Sequence, residues 1–333
     1  MANENYSPIR QIVLLFIISH LSFTCVVAQT LTFVELNCEN MFDTRHDSLK
    51  QDYEFLPEGA RYWSRTKYWQ KLNRIAQELL SCSVDLPDLV ALCEVENDTV
   101  LHDFTRRSLL RNAGYEYLMT ESPDLRGIDV ALLYQPSSFL PLCYDYIEVP
   151  LLKGMRPTRD ILYVKGIAWA IDTLHIFIVH APSRYGGERR TRPFRMQVVK
   201  TLERAVESVG EANVLVAGDF NDYADSPTLV WLEEQALVNV SKNLKGRNGV
   251  GGTYRYRGEW RSIDHVLLSP SMTAHIDTAY INDARFLLEE DVQNGNYKPR
   301  RTFNGYHYLR GGFSDHLPLV VRFKRKMQQI KSK

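Results

Sequence analysis

ILYVKGIAWAIDTLHIFIVH, residues 161–180, sets two aliphatic and β-branched runs (161–171 and 174–179) end to end with no helix-length segment between them. Parallel neighbours need a crossover of a dozen or more residues, so two such tandem strands disfavour a purely parallel, doubly wound sheet. The stretch 253–281 reads the same way. Working outward, further strand-like runs lie at 31–36, 89–92, 128–134, 214–217, 263–268 and 317–323. Between them, Tyr68, Leu72, Ile75 and Leu79 recur at i, i+4, i+7 and i+11, which predicts a helix over 64–80 with one apolar stripe for a sheet. Helices are also predicted over 191–209 and, after the capping signal Asp225-Ser226-Pro227, over 226–235. Two mixed sheets packed face to face, with helices outside, fit this order.

The usage is ordinary for a globular chain: of 333 residues, 44% are apolar and 24% charged. That excludes a disordered, collagen-like or polytopic membrane protein. Lys+Arg and Asp+Glu both number 40, so no global field favours polyanions and any attraction for phosphate must be local. No repeat or linker interrupts 31–325. Residues 1–28 read as a signal peptide: Arg10 gives a weak positive flank, 12–18 is an unbroken apolar run, and Val26-Val27-Ala28 suits cleavage before Gln29. Residues 29–333 then form a single domain, secreted or periplasmic; the apolar run is too short to span a bilayer, and anchoring through it is the lesser alternative. Cys25 leaves with the signal. Cys38, Cys82, Cys93 and Cys143 show no zinc-ligand spacing and are expected as buried thiols rather than bridges.

Apolar runs end repeatedly in a polar residue: Asn37 after 31–36, Glu94 after 89–93, His180 after 174–179 and Asp219 after 214–218, with Asp264 and Asp315 beside two further strands. Each alone is more economically a turn or capping residue, but together they suggest a shared cleft. The strongest string is Gly218-Asp219-Phe220-Asn221-Asp222, in which a glycine permits a sharp turn, Asp219 offers a carboxylate and Asn221 an amide. The alternative for this string is an Asx-rich turn into the next helix.

ELNCEN at 35–40, ALCEVEN at 91–97, VHAPSR at 179–184, GDFND at 218–222, SIDHVLLS at 262–269 and SDHLPLV at 314–320 follow one another in an order that resembles the endonuclease/exonuclease/phosphatase superfamily. These are metal-dependent phosphoesterases, among them pancreatic-type deoxyribonucleases, apurinic endonucleases, neutral sphingomyelinases and inositol-polyphosphate phosphatases. The resemblance spans nearly all of 29–333 and implies an α/β fold, a four-layer α/β/β/α sandwich with two mixed β-sheets. It also implies that Glu94, helped by Asn37 and Asp315, holds a divalent metal; oxygen donors suit Mg²⁺ or Mn²⁺. By the same resemblance Asp219 orients or deprotonates the attacking water and Asn221 holds a phosphate oxygen. His180 assists the leaving oxygen or binds phosphate, and His316, its ring N–H accepted by Asp264, stabilises charge growing on phosphorus. Apurinic endonucleases usually carry other residues at the place of His180, which points away from abasic-site repair.

The substrate is written less clearly. Arg184, Arg189, Arg190, Arg192 and Arg195 crowd the segment after His180, where they could grip phosphates or line a solvated helix face partly neutralised by Glu188. Arg159, Arg255, Arg257, Arg261, Tyr256 and Trp260 are further candidates, and Asp129 a weaker one. The expected activity is metal-assisted hydrolysis of a phosphodiester, nucleic acid first, with a phospholipid or small phosphoester as the alternative enzyme reading. A catalytically silent binding module is the reading from another class. No obligate protein partner is implied, and a monomer is expected.

Overall fold

The computed structural model describes residues 30–168, 172–210 and 212–324. The proposed signal over 1–28, with Cys25, lies outside them. Two six-stranded sheets carry the chain. In spatial order the first holds Ile276–Ile281, Leu319–Lys324, Thr30–Met41, Leu89–Val95, Asp129–Tyr134 and Glu116–Met119. The second holds Phe139–Ile147, Ile161–Ala168, Asp172–His180, Asn213–Asp219, Asp264–Leu268 and Val238–Asn239. Both are mixed. Thr30–Met41 runs parallel to Leu89–Val95 and antiparallel to Leu319–Lys324, while Asp172–His180 runs parallel to Asn213–Asp219 and antiparallel to Ile161–Ala168.

Side chains alternate across a strand, and here the alternation builds the layers. Leu31, Phe33, Leu89, Ala91 and Cys93 of the first sheet share a core with Leu174, Ile176, Ile178, Leu215, Ala217, Val266 and Leu268 of the second. Their sequence neighbours Val34, Leu36, Val90 and Leu92 face the other way, onto Leu72, Ile75 and Leu79 of the helix Arg65–Leu80. Phe177, Val179, Val214 and Val216 pack with Val198, Val199 and Leu202 of the helix Glu188–Ser208. The result is the α/β/β/α sandwich read from the sequence. The predicted stripe of Arg65–Leu80 is buried, and the Ser64 side chain caps it by accepting from Lys67 N.

Some boundaries differ. The helix predicted over 191–209 begins a turn earlier, at Glu188, with Gly187 as its N-cap at φ 108°. The helix Asp98–Arg106, capped by Asn97 Oδ1 accepting from Val100 N, and the edge strand Phe139–Ile147 were not anticipated. The edge strand escaped because Pro141 and Asp145 break its apolar run. In 253–281 the strands divide: Asp264–Leu268 joins the second sheet and Ile276–Ile281 the first, with the short helix Pro270–Thr273 between them. Cys38, Cys82 and Cys93 are buried free thiols, but Cys143 is exposed, because it lies on that outer strand rather than in the core. Among the described residues no helix is long and apolar enough to cross a membrane.

Candidate active site

The inward-facing rows of the sheets end in polar residues at one edge of the shared core. On the second sheet Ile178, Ala217 and Val266 give way to His180, Asp219 and Asp264, two residues along and therefore on the same face. Ladder register sets these three abreast: His180 is opposite Asp219 in the parallel pair, and Asp264 opposite Asp219 in the antiparallel one. Gly218 makes this possible, although not by turning the chain as expected. It lies within the strand at φ 140°, and a Cβ there would sit 1.8 Å from Val179 O. The first sheet reaches the cleft differently. Its pairing shifts between Asn37 and Met41 and between Cys93 and Val95, with left-handed backbone at Glu39, Asn40 and Glu94. The second of these bulges re-aims Glu94.

Asp219 is the hub. Its Oδ2 accepts from Asn37 Nδ2 at 3.0 Å and Asn221 Nδ2 at 3.2 Å, and its Oδ1 from Asn221 N at 2.7 Å. Burial, and then Asp264, raise its pKa to about 7 against the pull of His316. A carboxylate poised there suits general-base work. His316 donates through Nδ1 to Asp264, 2.8 and 2.9 Å from its two oxygens, and Thr253 Oγ1 also donates to that carboxylate. Burial opposes charge on His316, yet Asp264, with Asp315 and Asp219 beyond it, lifts its pKa well above the imidazole range. That environment favours the imidazolium. His180 is the opposite case: burial, then Arg159, Arg126 and His316, hold it well below that range, so its ring is neutral. Its Nε2 stands 3.6 Å from Asp219 Oδ2 and 3.9 Å from Glu94 Oε1.

Two sets of acids could hold a metal. Asp219, Asp264 and His316 offer ligand atoms within 4.8 Å of one another. In that group Asp264 is already taken up by His316 Nδ1 and Thr253 Oγ1, so Glu94 is the freer candidate ligand. Its carboxylate has no hydrogen bond among the described residues and its side chain is 13% exposed. Asn37 lies beside Asp219 and its Oδ1 accepts only from Glu39 N, keeping one lone pair. Asp315 is also in the cleft, 3.9 Å from His316 Nε2, but its Oδ2 accepts from Arg301 at 3.0 Å. These oxygen donors fit a hard divalent cation. Asn221 is present, but its Nδ2 is spent on Ala181 O and Asp219, so here it positions the carboxylate.

The arginine segment divides. Arg189 and Arg190 are exposed. Arg192 is fixed by Glu188 through two bonds of 2.7 Å, an i,i+4 pair created by the earlier helix start, and Arg195 is buried against Asp222 at 2.8 Å. Arg184 and Arg261 both lie over the Tyr223 ring, at 4.4 and 3.7 Å from its centroid. Arg255 is tied to Asp291 and to loop carbonyls, and Asp129 binds Thr120 and Ser122 rather than the cleft. Arg159 turns out to be a buttress: its buried guanidinium holds the carbonyls of His180 and Ala181 and the Asp124 carboxylate.

Sequence reasoning missed Glu35. It is wholly buried beneath the site, neither carboxylate oxygen has a hydrogen bond, and burial, then Asp264 and Asp219, raise its pKa well above the usual range. Its signal was available: it continues the inward row Leu31, Phe33 and precedes Asn37 by two. Arg301 and Tyr254, whose ring centroid is 5.0 Å from that of His316, carried no such signal, because an irregular loop brings in the first and a short hairpin strand, Tyr254–Tyr256, bridged to His316, the second.

The Endonuclease/Exonuclease/phosphatase family matches residues 32–325. No curated protein sequence matches the chain. Among solved structures, the fold is similar to that of an endonuclease/exonuclease/phosphatase family protein from Bacteroides thetaiotaomicron, with a TM-score of 0.61, 15% identity, and coverage of 90% of this chain and 98% of that one. It is also similar to a mannosyl-6-phosphatase of the same organism (TM-score 0.60, 15% identity, 89% and 100% covered). A third is D. rerio TDP2 complexed with single strand DNA product (TM-score 0.54, 14% identity, 89% and 99% covered).

Proposed function

Since the chain belongs to the endonuclease/exonuclease/phosphatase family, and is thus a phosphoester-hydrolysing enzyme, we propose that it is a divalent-metal-dependent phosphodiesterase acting by attack of water on phosphorus. The observation that carries this is the row His180, Asp219, Asp264 with His316 hydrogen-bonded behind it, where a carboxylate poised near neutrality meets a fixed imidazolium. Asp219, held by Asn37 and Asn221, aligns the water and takes its proton. His316, kept charged by Asp264, stabilises the negative charge growing on the phosphoryl oxygens. His180, neutral and beside Asp219, serves the leaving oxygen. Mg²⁺ or Mn²⁺ held by Glu94, with Asn37 and Asp315 beside it, would supply Lewis-acid neutralisation of the phosphoryl charge.

For substrate we place a nucleic-acid strand first, on the exposed cations Arg189 and Arg190 after His180, with Arg184, half-buried over Tyr223, as a third candidate, and on a structural relative that holds single strand DNA. The internal pairing of Arg192 and Arg195 favours a second reading, a small phosphoester. Hydrolysis of single-stranded DNA, duplex DNA, RNA, sphingomyelin, inositol phosphates and bis-p-nitrophenyl phosphate, compared at one Mg²⁺ concentration, decides between them. Activity confined to bis-p-nitrophenyl phosphate and other small esters would overturn the nuclease reading. The same proposal places the mature chain outside the cytoplasm, beginning at Gln29; N-terminal sequencing of exported protein that found Met1 would contradict it.

A further inference from the structure

A cation enters the cleft from a loop that none of the motif strings includes. Arg301 follows the strand Tyr297–Pro299, and its backbone is fixed without help from its side chain. The buried Glu39 carboxylate accepts from the N–H groups of Thr302 and Phe303, while Lys71 of the helix Arg65–Leu80 donates to Thr302 Oγ1 and Phe313 O. Gly312 closes on the loop so tightly that a Cβ there would lie 2.1 Å from Arg301 O. The guanidinium, by contrast, is loosely committed. Nη2 donates to Asp315 at 3.0 Å, Nε lies 3.5 Å from Glu39 Oε1 without a hydrogen bond, and 41% of the side chain is exposed. This half-exposed guanidinium is held by one hydrogen bond while its backbone is anchored at several points, so the anchoring serves more than the ion pair.

Position gives the anchoring a purpose. Asp315 adjoins His316, and its other oxygen stands 3.9 Å from His316 Nε2, so Arg301 borders the reacting centre on the side where the imidazolium faces the cleft. Arg159, Arg192 and Arg195 are spent elsewhere: Arg159 on carbonyls, Arg192 on Glu188 and Arg195 on Asp222. We propose that Arg301 is a ligand of the substrate phosphate, its guanidinium resting on Asp315 in the free enzyme and turning its open edge to the phosphoryl oxygens when substrate binds. A planar fork on a rigid loop meets two phosphoryl oxygens at once, which the point charge of a lysine does not do.

This inference rests on the phosphoesterase reading of the site. Its test compares wild type, Arg301→Gln and Arg301→Lys with Mg²⁺ present, measuring kcat/KM on bis-p-nitrophenyl phosphate, the binding of inorganic phosphate by calorimetry, and Tm. Arg301→Gln should lose about 10²-fold in kcat/KM. Its phosphate affinity should fall at least about tenfold, with Tm nearly unchanged, and Arg301→Lys should recover only part of both. If Arg301→Gln unfolds, Arg301→Lys decides alone, since it keeps the charge for Glu39 and Asp315 and loses only the fork: weakened phosphate binding supports the proposal, wild-type binding overturns it. A wild type that hydrolyses no phosphoester removes the reading of the site. An active wild type whose Arg301→Gln variant keeps its kcat/KM and phosphate affinity removes Arg301 alone.

Discussion

On the second sheet His180, Asp219 and Asp264 stand abreast because regular strands run in register, whereas on the first only Asn37 ends a regular run, and Glu94 reaches the same cleft through a bulge at which its own backbone turns left-handed. The difference is one of placement and of use. Groups that hand protons to one another need fixed separations, and a ladder of hydrogen bonds supplies them over its whole length. A metal ligand needs an open oxygen, and a bulge delivers one by taking Glu94 out of the ladder at a local strain of about 1–3 kcal/mol.

The largest effect should come from the register side. Asp219→Asn is expected to lose about 10²–10⁴-fold in kcat while substrate binding stays nearly intact. A variant keeping more than about a tenth of the rate would move the base elsewhere. The same change should alter stability in metal-free buffer. Asp219, whose folded pKa of about 7 exceeds the 3.8 of the free group, holds a proton in the folded state that the unfolded chain releases. It therefore contributes to a stability that falls as pH rises from about 4 to about 7, and Asp219→Asn should remove that share of the slope. Denaturant unfolding at pH 5 and pH 8 measures it; an unchanged slope would mean that Asp219 is not charged at a cost.

Gly218→Ala comes next. Its Cβ would collide with Val179 O, and the loss of about 3 kcal/mol in unfolding free energy should exceed that of an alanine for any bulge residue of the first sheet. A variant of wild-type stability would break the claim that register rests on that contact. On the bulge side, Glu94→Gln should leave stability and the His316–Asp264 bond unchanged while raising the metal concentration for half activity by at least about tenfold. Equal metal dependence in both proteins would assign the ion to other ligands.

The smallest effect concerns the arginines. Replacing Arg189, Arg190 and Arg192 together by Ser should flatten the log–log salt dependence of single-strand binding by roughly 0.7 per contacted phosphate. Arg192→Ser alone should change nothing, because Glu188 already holds that guanidinium. A full effect from Arg192 alone would show that the helix start at Glu188 gives way to substrate.

This contrast also explains what the sequence made legible. Residues ending an apolar run in register announce themselves, since the period-two pattern that buries Ile178, Ala217 and Val266 aims His180, Asp219 and Asp264 into one cleft. The sandwich was readable for the same reason. The helix start at Glu188 was not, because Gly186 and Gly187 look like loop; it decides for the pairing of Arg192 with Glu188 between two readings the segment left open, while Arg195 pairs with Asp222, which no local pattern shows. Glu35 was legible by the same period, since it stands two residues from Phe33 and from Asn37 on the inward row, but an acid within an aliphatic strand is easily read as solvent-facing. Arg301 depends on contacts from Glu39 and Lys71, both far away in the chain, and from Gly312 at the close of its own loop, which no local pattern encodes.

On the proposed function, a divalent ion held at Glu94 with Asn37 and Asp315 is what the proton-handling row cannot do without. The direct measurement is the hydrolysis of bis-p-nitrophenyl phosphate by wild-type protein before and after excess EDTA, with Mg²⁺ or Mn²⁺ then restored in excess. Loss of the rate on chelation and its return with either ion is the predicted result; a full rate in excess EDTA would contradict the account.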